Sequence, residues 1–171
     1  MQLSDTREIQ APPAAVYAAL LDPEVLKACI NGAQEITGDP TEGYHATVVQ
    51  KVGPVKATFK GTVTMSDMVE AERLTIVGEG KGGAAGFAKG SANVTFEPGT
   101  SGGTVLTYEV DAKVGGKLAQ LGSRLIDGFA KKMADQFFAN LQEHFEGPPP
   151  QDEATGEDAK KGWLGRLAGR D

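Results

Sequence analysis

The chain has 171 residues, of which 40% are hydrophobic and 23% charged, and these values suit one soluble globular domain with a tail. Its net charge of −6 argues against sequence-independent nucleic-acid binding, and its single cysteine, Cys29, excludes a disulfide within the chain. The first ten residues, MQLSDTREIQ, have no apolar core. We therefore expect neither a secretory signal nor a first transmembrane helix, and we expect a cytoplasmic location.

Local patterns predict one strand, two short helices and then a run of strands. The segment LSDTREI starts as a strand, Pro12 and Pro13 mark a helix start, and Asp22 with Pro23 caps a second short helix. From about residue 33 to residue 114 the hydrophobic period becomes two, most clearly in VKATFKGTVTM and TVLTYEVDAKV. About six strands joined by short turns, with no helix between them, predict an antiparallel meander.

A long helix is predicted after the strands. Apolar residues recur every three or four positions along GKLAQLGSRLIDGFAKKMADQFFANLQEHFEG, which predicts one helix of roughly 28 residues, ended by Gly147 and the prolines after it. A curved antiparallel sheet around this helix would bury the helical stripe and the inner strand faces together. The stripe consists of Leu118, Leu121, Leu125, Phe129, Met133, Phe137, Leu141 and Phe145.

The residues after 146 divide by charge into two parts. Residues 147–159 carry four acids, no base and three consecutive prolines, which predicts a disordered acidic linker. Residues 160–171 carry four bases and one acid, which predicts a basic amphipathic tip at a membrane surface. A docking peptide for a protein partner and a solubilising tail are the alternatives. The predicted membrane-contact residues are Lys160, Lys161, Trp163, Leu164, Arg166, Leu167 and Arg170.

The stretch GEGKGGAAGFAKG, residues 78–90, contains the G-x-G-x-x-G pattern of dinucleotide-binding loops. Such a site needs a helix after the glycines, whereas the residues that follow here predict a turn and a strand, so we reject nucleotide binding. Small residues in the middle of strands instead predict room for a ligand between sheet and helix, the alternative being close helix packing aided by Gly122 and Gly128. The small residues are Gly61, Gly78, Gly80, Gly90, Ala57, Ala88, Ala92 and Ala112.

The stretches AALLDPEVLKACINGAQ, VGPVKATFKGTVTMSD, GEGKGGAAGFAKGSA and VGGKLAQLGSRLIDGFAKKMADQFF closely resemble the CoxG-like family of carbon monoxide dehydrogenase proteins, within the START/SRPBCC superfamily. The resemblance covers about residues 1–146. One departure is ACINGA, where the family usually has C-I-P-G-C. Here Asn31 replaces the proline and Ala33 replaces the second cysteine, so a role for a cysteine pair does not carry over.

The resemblance implies an α+β helix-grip fold: a curved seven-stranded antiparallel sheet around a long C-terminal helix, with two short helices and an apolar cavity. It also implies a non-catalytic accessory role beside carbon monoxide dehydrogenase or a related molybdenum hydroxylase. Recruitment to the inner face of the cell membrane and a link to the quinone pool belong to the same implication. We therefore expect residues 1–146 to bind an apolar ligand, a membrane quinone or another lipid, with no covalent cofactor.

The expected ligand site combines the inner sheet face with the helical stripe. Tyr44 and Tyr108 are its only obvious polar-tipped groups, and a buried tyrosine hydroxyl needs a partner, either a backbone carbonyl or a carbonyl of the ligand. A quinone ring would lie near Tyr108. The expected ligand-binding residues are Ala57, Phe59, Ala92, Phe96, Tyr108, Leu121, Leu125, Phe129 and Met133.

Other chemistry has little support in the sequence. His45 faces outward on a strand and His144 lies in the last helical turn, and no spacing suits zinc. Cys29 is expected to be a small buried helix residue, and Lys81 and Lys89 beside the glycine turn either guide an anionic partner or are simply solvated. Two alternative functions stay open: a cyclase- or hydratase-type enzyme, which needs an acid or base aimed into the cavity, and a recruitment factor with a filled core.

Overall fold

The period-two pattern forms a single antiparallel sheet in the computed structural model, which describes residues 1–146. The strands are β1 (Gln2–Ile9), β2 (Ala33–Asp39), β3 (Gly43–Val52), β4 (Val55–Val69), β5 (Arg73–Lys81), β6 (Phe87–Pro98) and β7 (Thr104–Gly115), and the helices are α1 (Pro13–Leu21), α2 (Pro23–Cys29) and α3 (Ser123–Glu146). The strand order is β1-β7-β6-β5-β4-β3-β2, so the strands from β2 to β7 form a meander and β1 pairs with β7. This arrangement confirms the predicted α+β helix-grip architecture.

Several predictions concern residues beyond the described part of the chain. They are the acidic linker at 147–159, the basic tip at 160–171 and the membrane-contact set Lys160, Lys161, Trp163, Leu164, Arg166, Leu167 and Arg170.

The two short helices begin where the prolines and Asp22 predict. α1 follows Pro12 directly, and the Asp22 carboxylate accepts a hydrogen bond of 2.9 Å from the backbone N–H of Glu24 at the start of α2. The Tyr17 ring of α1 packs edge-on against the Phe96 ring of β6, with 5.6 Å between centroids. α1 thereby covers one end of the inner sheet face.

The long helix is shorter than the sequence predicts. It has 24 residues and begins at Ser123, because Gly122 has a φ of +92° and cannot continue a helix. Leu118 precedes, and Leu121 ends, a short 3-10 turn, Ala119–Leu121, although Leu118 is still buried. The predicted 28-residue helix was therefore wrong, because an apolar stripe marks the buried face of a turn as well as that of a helix.

Two strand glycines allow neighbouring strands to approach closely. A Cβ atom on Gly61 would lie 2.1 Å from the backbone oxygen of Glu79, and one on Gly90 would lie 2.5 Å from that of Asp111. At Gly122 and Gly128, by contrast, a Cβ atom would meet nothing within 4 Å. These helix-side glycines therefore do not mediate close packing, and that alternative explanation of the small residues fails.

The buried core forms two separate clusters. The first cluster joins α1, α2 and the second half of α3 to one end of the sheet, and the second cluster joins the start of α3 to the other end. The first contains Ile9, Ala11, Val16, Tyr17, Ala19, Leu20, Val25, Cys29, Leu74, Val94, Phe96, Leu106, Tyr108 and Leu141; the second contains Val52, Leu118 and Ile126, with Met1, Val55, Phe59, Val114, Leu121 and Phe129 packed against it.

Substituting alanine for two of these glycines should change stability in opposite directions. Gly61→Ala should lower the free energy of unfolding by about 1–3 kcal/mol, because the new Cβ atom collides with the backbone of β5. Gly128→Ala is the matched control and should raise it by about 0.5–1 kcal/mol, because it adds a better helix former in open space. Urea denaturation measures both. Equal stability of Gly61→Ala and wild type would contradict the close strand approach.

Candidate functional site

A band of small side chains lies on the inner sheet face between the two core clusters. Strand register brings its members together, since Gly61 pairs with Gly80, Gly80 with Ala88, and Gly90 with Ala112. None of them belongs to either cluster, and all are partly exposed. We call this set the glycine–alanine floor: Gly61, Gly78, Gly80, Gly90, Ala57, Ala88, Ala92 and Ala112.

The long helix approaches the sheet most closely away from the floor. The α3 backbone comes nearest to α2, to β1 at one sheet edge and to β3 close to the other. A Cβ atom on Gly78 would meet only Val63 and Thr62 within 4 Å, and one on Gly80 only Phe59, all of which belong to the sheet itself. No atom of α3 lies within that distance above these two glycines, so there is space over the centre of the floor.

The predicted ligand-binding residues surround the floor in different ways. Phe96 and Tyr108 belong to the first cluster, and Phe59, Leu121 and Phe129 pack against the second. The remaining four, Ala57, Ala92, Leu125 and Met133, belong to neither. Leu125 is 39% exposed and lies against Gly53 in the β3–β4 turn, which puts it at one end of the site.

The two buried tyrosines have different partners. The Tyr44 hydroxyl donates a hydrogen bond of 2.6 Å to the Leu21 carbonyl, the backbone partner that the sequence left as an alternative. Burial, together with the nearby charges of Asp39 and Asp22, raises the pKa of Tyr44 to about 12. The Tyr108 ring stacks on Phe138 of α3, with 5.0 Å between centroids, and its hydroxyl lies beside the guanidinium of Arg7.

Arg7 is a site residue that sequence reasoning missed. The register of β1 with β7 pairs Asp5 with Tyr108 and Arg7 with Leu106, so both charged side chains share the inner face. The guanidinium donates a hydrogen bond to Asp135 of α3 and lies 5.3 Å from the Phe138 ring centroid. The expectation that the tyrosines were the only polar groups of this face was therefore wrong. Extending the period-two pattern into LSDTREI would have shown it, since residues 3, 5, 7 and 9 alternate with outward residues.

The electrostatics of this cluster keep its charges in place. Burial acts to lower the pKa of Arg7, but its bonds to Asp135 and Tyr108 outweigh that effect and raise it. The hydrogen bond from Lys131, followed by the one from Arg7, lowers the pKa of Asp135. The Arg7 Nε atom lies 3.3 Å from the Asp5 carboxylate and is buried without a hydrogen-bond partner among residues 1–146. The cluster can donate hydrogen bonds at the edge of the floor, whereas Asp135 is held ionised and is a poor general acid.

The other candidate residues lie apart from the floor. His45 is exposed on the outer face and His144 is exposed in the last turn of α3, as predicted. Cys29 is buried, and burial raises the pKa of its thiol, so it is a packing residue with an unreactive sulfur. Within residues 1–146, no three His, Cys, Asp or Glu side chains come together in a way that would hold a metal ion. Residues 83–85 form a 3-10 turn followed by β6, which is incompatible with a dinucleotide-binding loop.

The outer sheet face is polar and carries two open hollows. One, of about 490 Å³, lies among Thr62, Thr64, Lys89, Ser91 and Lys113, with Val77, Gly78, Glu79, Gly90 and Asp111 completing its lining. The other, of about 420 Å³, lies over β1, β6 and β7. No helix of the described part is long and apolar enough to cross a membrane.

Comparison with known proteins gives one family match and several similar structures. The family model for the carbon monoxide dehydrogenase protein CoxG matches residues 6–146. A conserved protein from Geobacillus kaustophilus has 26% identity and a TM-score of 0.78, over 84% of this chain and 94% of that one. A START superfamily protein from Mycobacterium smegmatis has 13% identity and a TM-score of 0.65, over 85% and 97%, and it shares the fold. No curated protein matches the chain.

The Arg7–Asp135 contact predicts how stability depends on pH. Because the pKa of Asp135 is lower in the folded state, the stabilisation by its carboxylate is complete above 3.8, its ordinary pKa, and disappears as the pH falls through the lowered value. Asp135→Asn should therefore be less stable than wild type at pH 7, and the difference should close in strong acid. Thermal unfolding from pH 7 to pH 2 tests this. Glu143→Gln on the same helix is the control, and a gap that stays constant down to pH 2 would contradict the assignment.

Proposed function

The chain belongs to the CoxG family of carbon monoxide dehydrogenase proteins, and we propose that it is an accessory protein that carries an apolar ligand beside its enzyme. The enzyme is carbon monoxide dehydrogenase or a related molybdenum hydroxylase. The ligand proposed is a membrane quinone, and the accessory protein couples the enzyme to the membrane that holds it.

The glycine–alanine floor is the observation that carries the ligand proposal. It separates two core clusters, and above Gly78 and Gly80 a side chain would meet only the sheet. A close-packed interior would fill that space with side chains of α3, as a ligand-free recruitment factor requires. An isoprenoid tail suits such a space, because each buried methylene contributes about 0.8 kcal/mol.

A polar group at one edge of the floor suits the head of the same ligand. Ala92 pairs with Val110, and Tyr108 is the next inward residue along β7, so the Arg7–Tyr108 pair lies directly beyond the floor. Both side chains can donate hydrogen bonds, which matches the two carbonyl acceptors of a quinone ring. Phe138, stacked on Tyr108, adds an aromatic surface at the same place.

A non-catalytic role is proposed because the acids of the inner face are engaged in ion pairs. Asp5 lies 3.3 Å from Arg7, and Asp135 bonds both Arg7 and Lys131. A cyclase or hydratase would need an acid or base whose proton is free to transfer to a substrate. The Arg7–Asp135 pair instead ties β1 to α3 across the open edge of the site.

Filling the floor should block ligand uptake without unfolding the protein. Ala92→Phe adds a ring above the floor, and we expect quinone uptake from vesicles to fall at least tenfold with little change in stability. Asn93→Phe is the matched control, because it adds the same ring one residue along, on the exposed outer face. Mass spectrometry of an organic extract measures the bound quinone. A protein that never takes up quinone contradicts the ligand, and a loss of about 1–3 kcal/mol in Ala92→Phe would indicate a core that is already filled.

The C-terminal residues supply the proposed membrane contact. Their basic and apolar side chains favour an anionic leaflet, where each base contributes about 1 kcal/mol. Trp163→Ala, and removal of residues 148–171, should weaken binding to anionic vesicles, most strongly at low salt. Thermal unfolding of both variants checks that the domain is intact. Vesicle binding equal to that of the full chain in both variants would place the membrane contact elsewhere.

A further inference from the structure

One end of the outer sheet face is strongly basic. Six exposed lysines project from five adjacent strands, β3 to β7, in a chain whose net charge is −6. They are six of its 17 lysines and arginines. We call this set the lysine face: Lys51, Lys56, Lys60, Lys81, Lys89 and Lys113.

The register places these lysines directly opposite one another. Lys51 pairs with Lys56, Lys60 with Lys81, and Lys89 with Lys113. Like charges directly opposite on one face of a sheet are destabilising. Within residues 1–146 none of the six lies within 4.0 Å of a carboxylate, even though Glu79 is directly opposite Lys89. Three unrelieved repulsive pairs do not help the fold, so they indicate a surface that serves an anionic partner.

The surroundings of the lysine face suit lipid headgroups. Phe87 is directly opposite Lys81, is 40% exposed, and its ring extends over Gly115 of the next strand. The larger outer hollow lies beside Lys89 and Lys113 and offers hydroxyl groups of Thr62, Thr64 and Ser91 as further donors. An exposed aromatic ring within a basic surface is typical of contact with the membrane interface.

We propose that the lysine face is a docking surface for an anionic lipid bilayer. A bilayer is favoured over a protein because interfaces between proteins are depleted in lysine and depend on arginine, tryptophan and tyrosine, which the lysine face lacks. Lysine is a point charge without the planar fork of arginine, so an array of lysines suits the diffuse charge of a leaflet. This surface is distinct from the C-terminal tip, and it would hold the domain itself against the membrane.

The test compares three full-length variants in which two positive charges are removed. Lys60→Gln/Lys81→Gln alters the lysine face, Arg166→Gln/Arg170→Gln alters the tip, and Lys27→Gln/Lys132→Gln is a control on exposed helix positions. Co-sedimentation with equimolar phosphatidylglycerol–phosphatidylcholine vesicles at low salt gives the partition coefficient. The lysine-face variant should bind about thirtyfold more weakly than wild type, since each lysine contributes a factor of about five. The control should lose far less.

Two further measurements make the outcome decisive. The lysine-face variant should unfold at the same temperature as wild type or a higher one, because a repulsive pair is removed, and it should take up quinone from detergent solution normally. The proposal is overturned if this variant binds anionic vesicles as the control does. It is also overturned if vesicle binding is kept while binding to the hydroxylase is lost, since the partner is then a protein. A failure of quinone uptake in wild type would leave this result unaffected.

Discussion

One helix is too narrow to cover the inner face of seven strands, and most of the structure follows from that constraint. Neighbouring strands lie about 4.8 Å apart, so the sheet spans about 30 Å, whereas a helix with its side chains is about 10 Å wide. The sheet curves, with close strand approaches at Gly61 and Gly90, and α1 and α2 cover part of the remaining face. Two core clusters then form where the helices meet the sheet, and the glycine–alanine floor is left between them.

The glycine–alanine floor has a second consequence, because a sheet is only one backbone thick. Gly78 and Gly90 pair directly, and they also line the larger hollow of the outer face. The proposed ligand site and the proposed bilayer surface are therefore separated there by backbone alone. A ligand that leaves the bilayer would have a short path to the floor if the domain lies with its lysine face on the membrane.

Most of the fold was predictable from the sequence, because the dominant signals are local. Alternation in β4 and β7, the Asp22 cap and the stripe of α3 each depend on neighbours within a few residues. Gly122 broke the helix prediction, because a positive φ leaves no trace in an apolar stripe. Parts of the site were harder to predict because they depend on pairing between distant strands. Arg7 meets Asp135 across 128 positions of the chain, and only register reveals that Lys60 lies opposite Lys81.

The open sheet leaves two edge strands, β1 and β2, whose outer backbone groups have no strand beside them within residues 1–146. An edge of this kind is a template on which another chain can add a strand. Here both edges carry exposed acids, Asp5 and Glu8 on β1, and Glu35 and Asp39 on β2. When two copies meet edge to edge, carboxylates face carboxylates and the approach is repulsive. The acidic surplus of the chain thus guards the molecule against polymerising through its own sheet, even at the high local concentration of a crowded membrane surface.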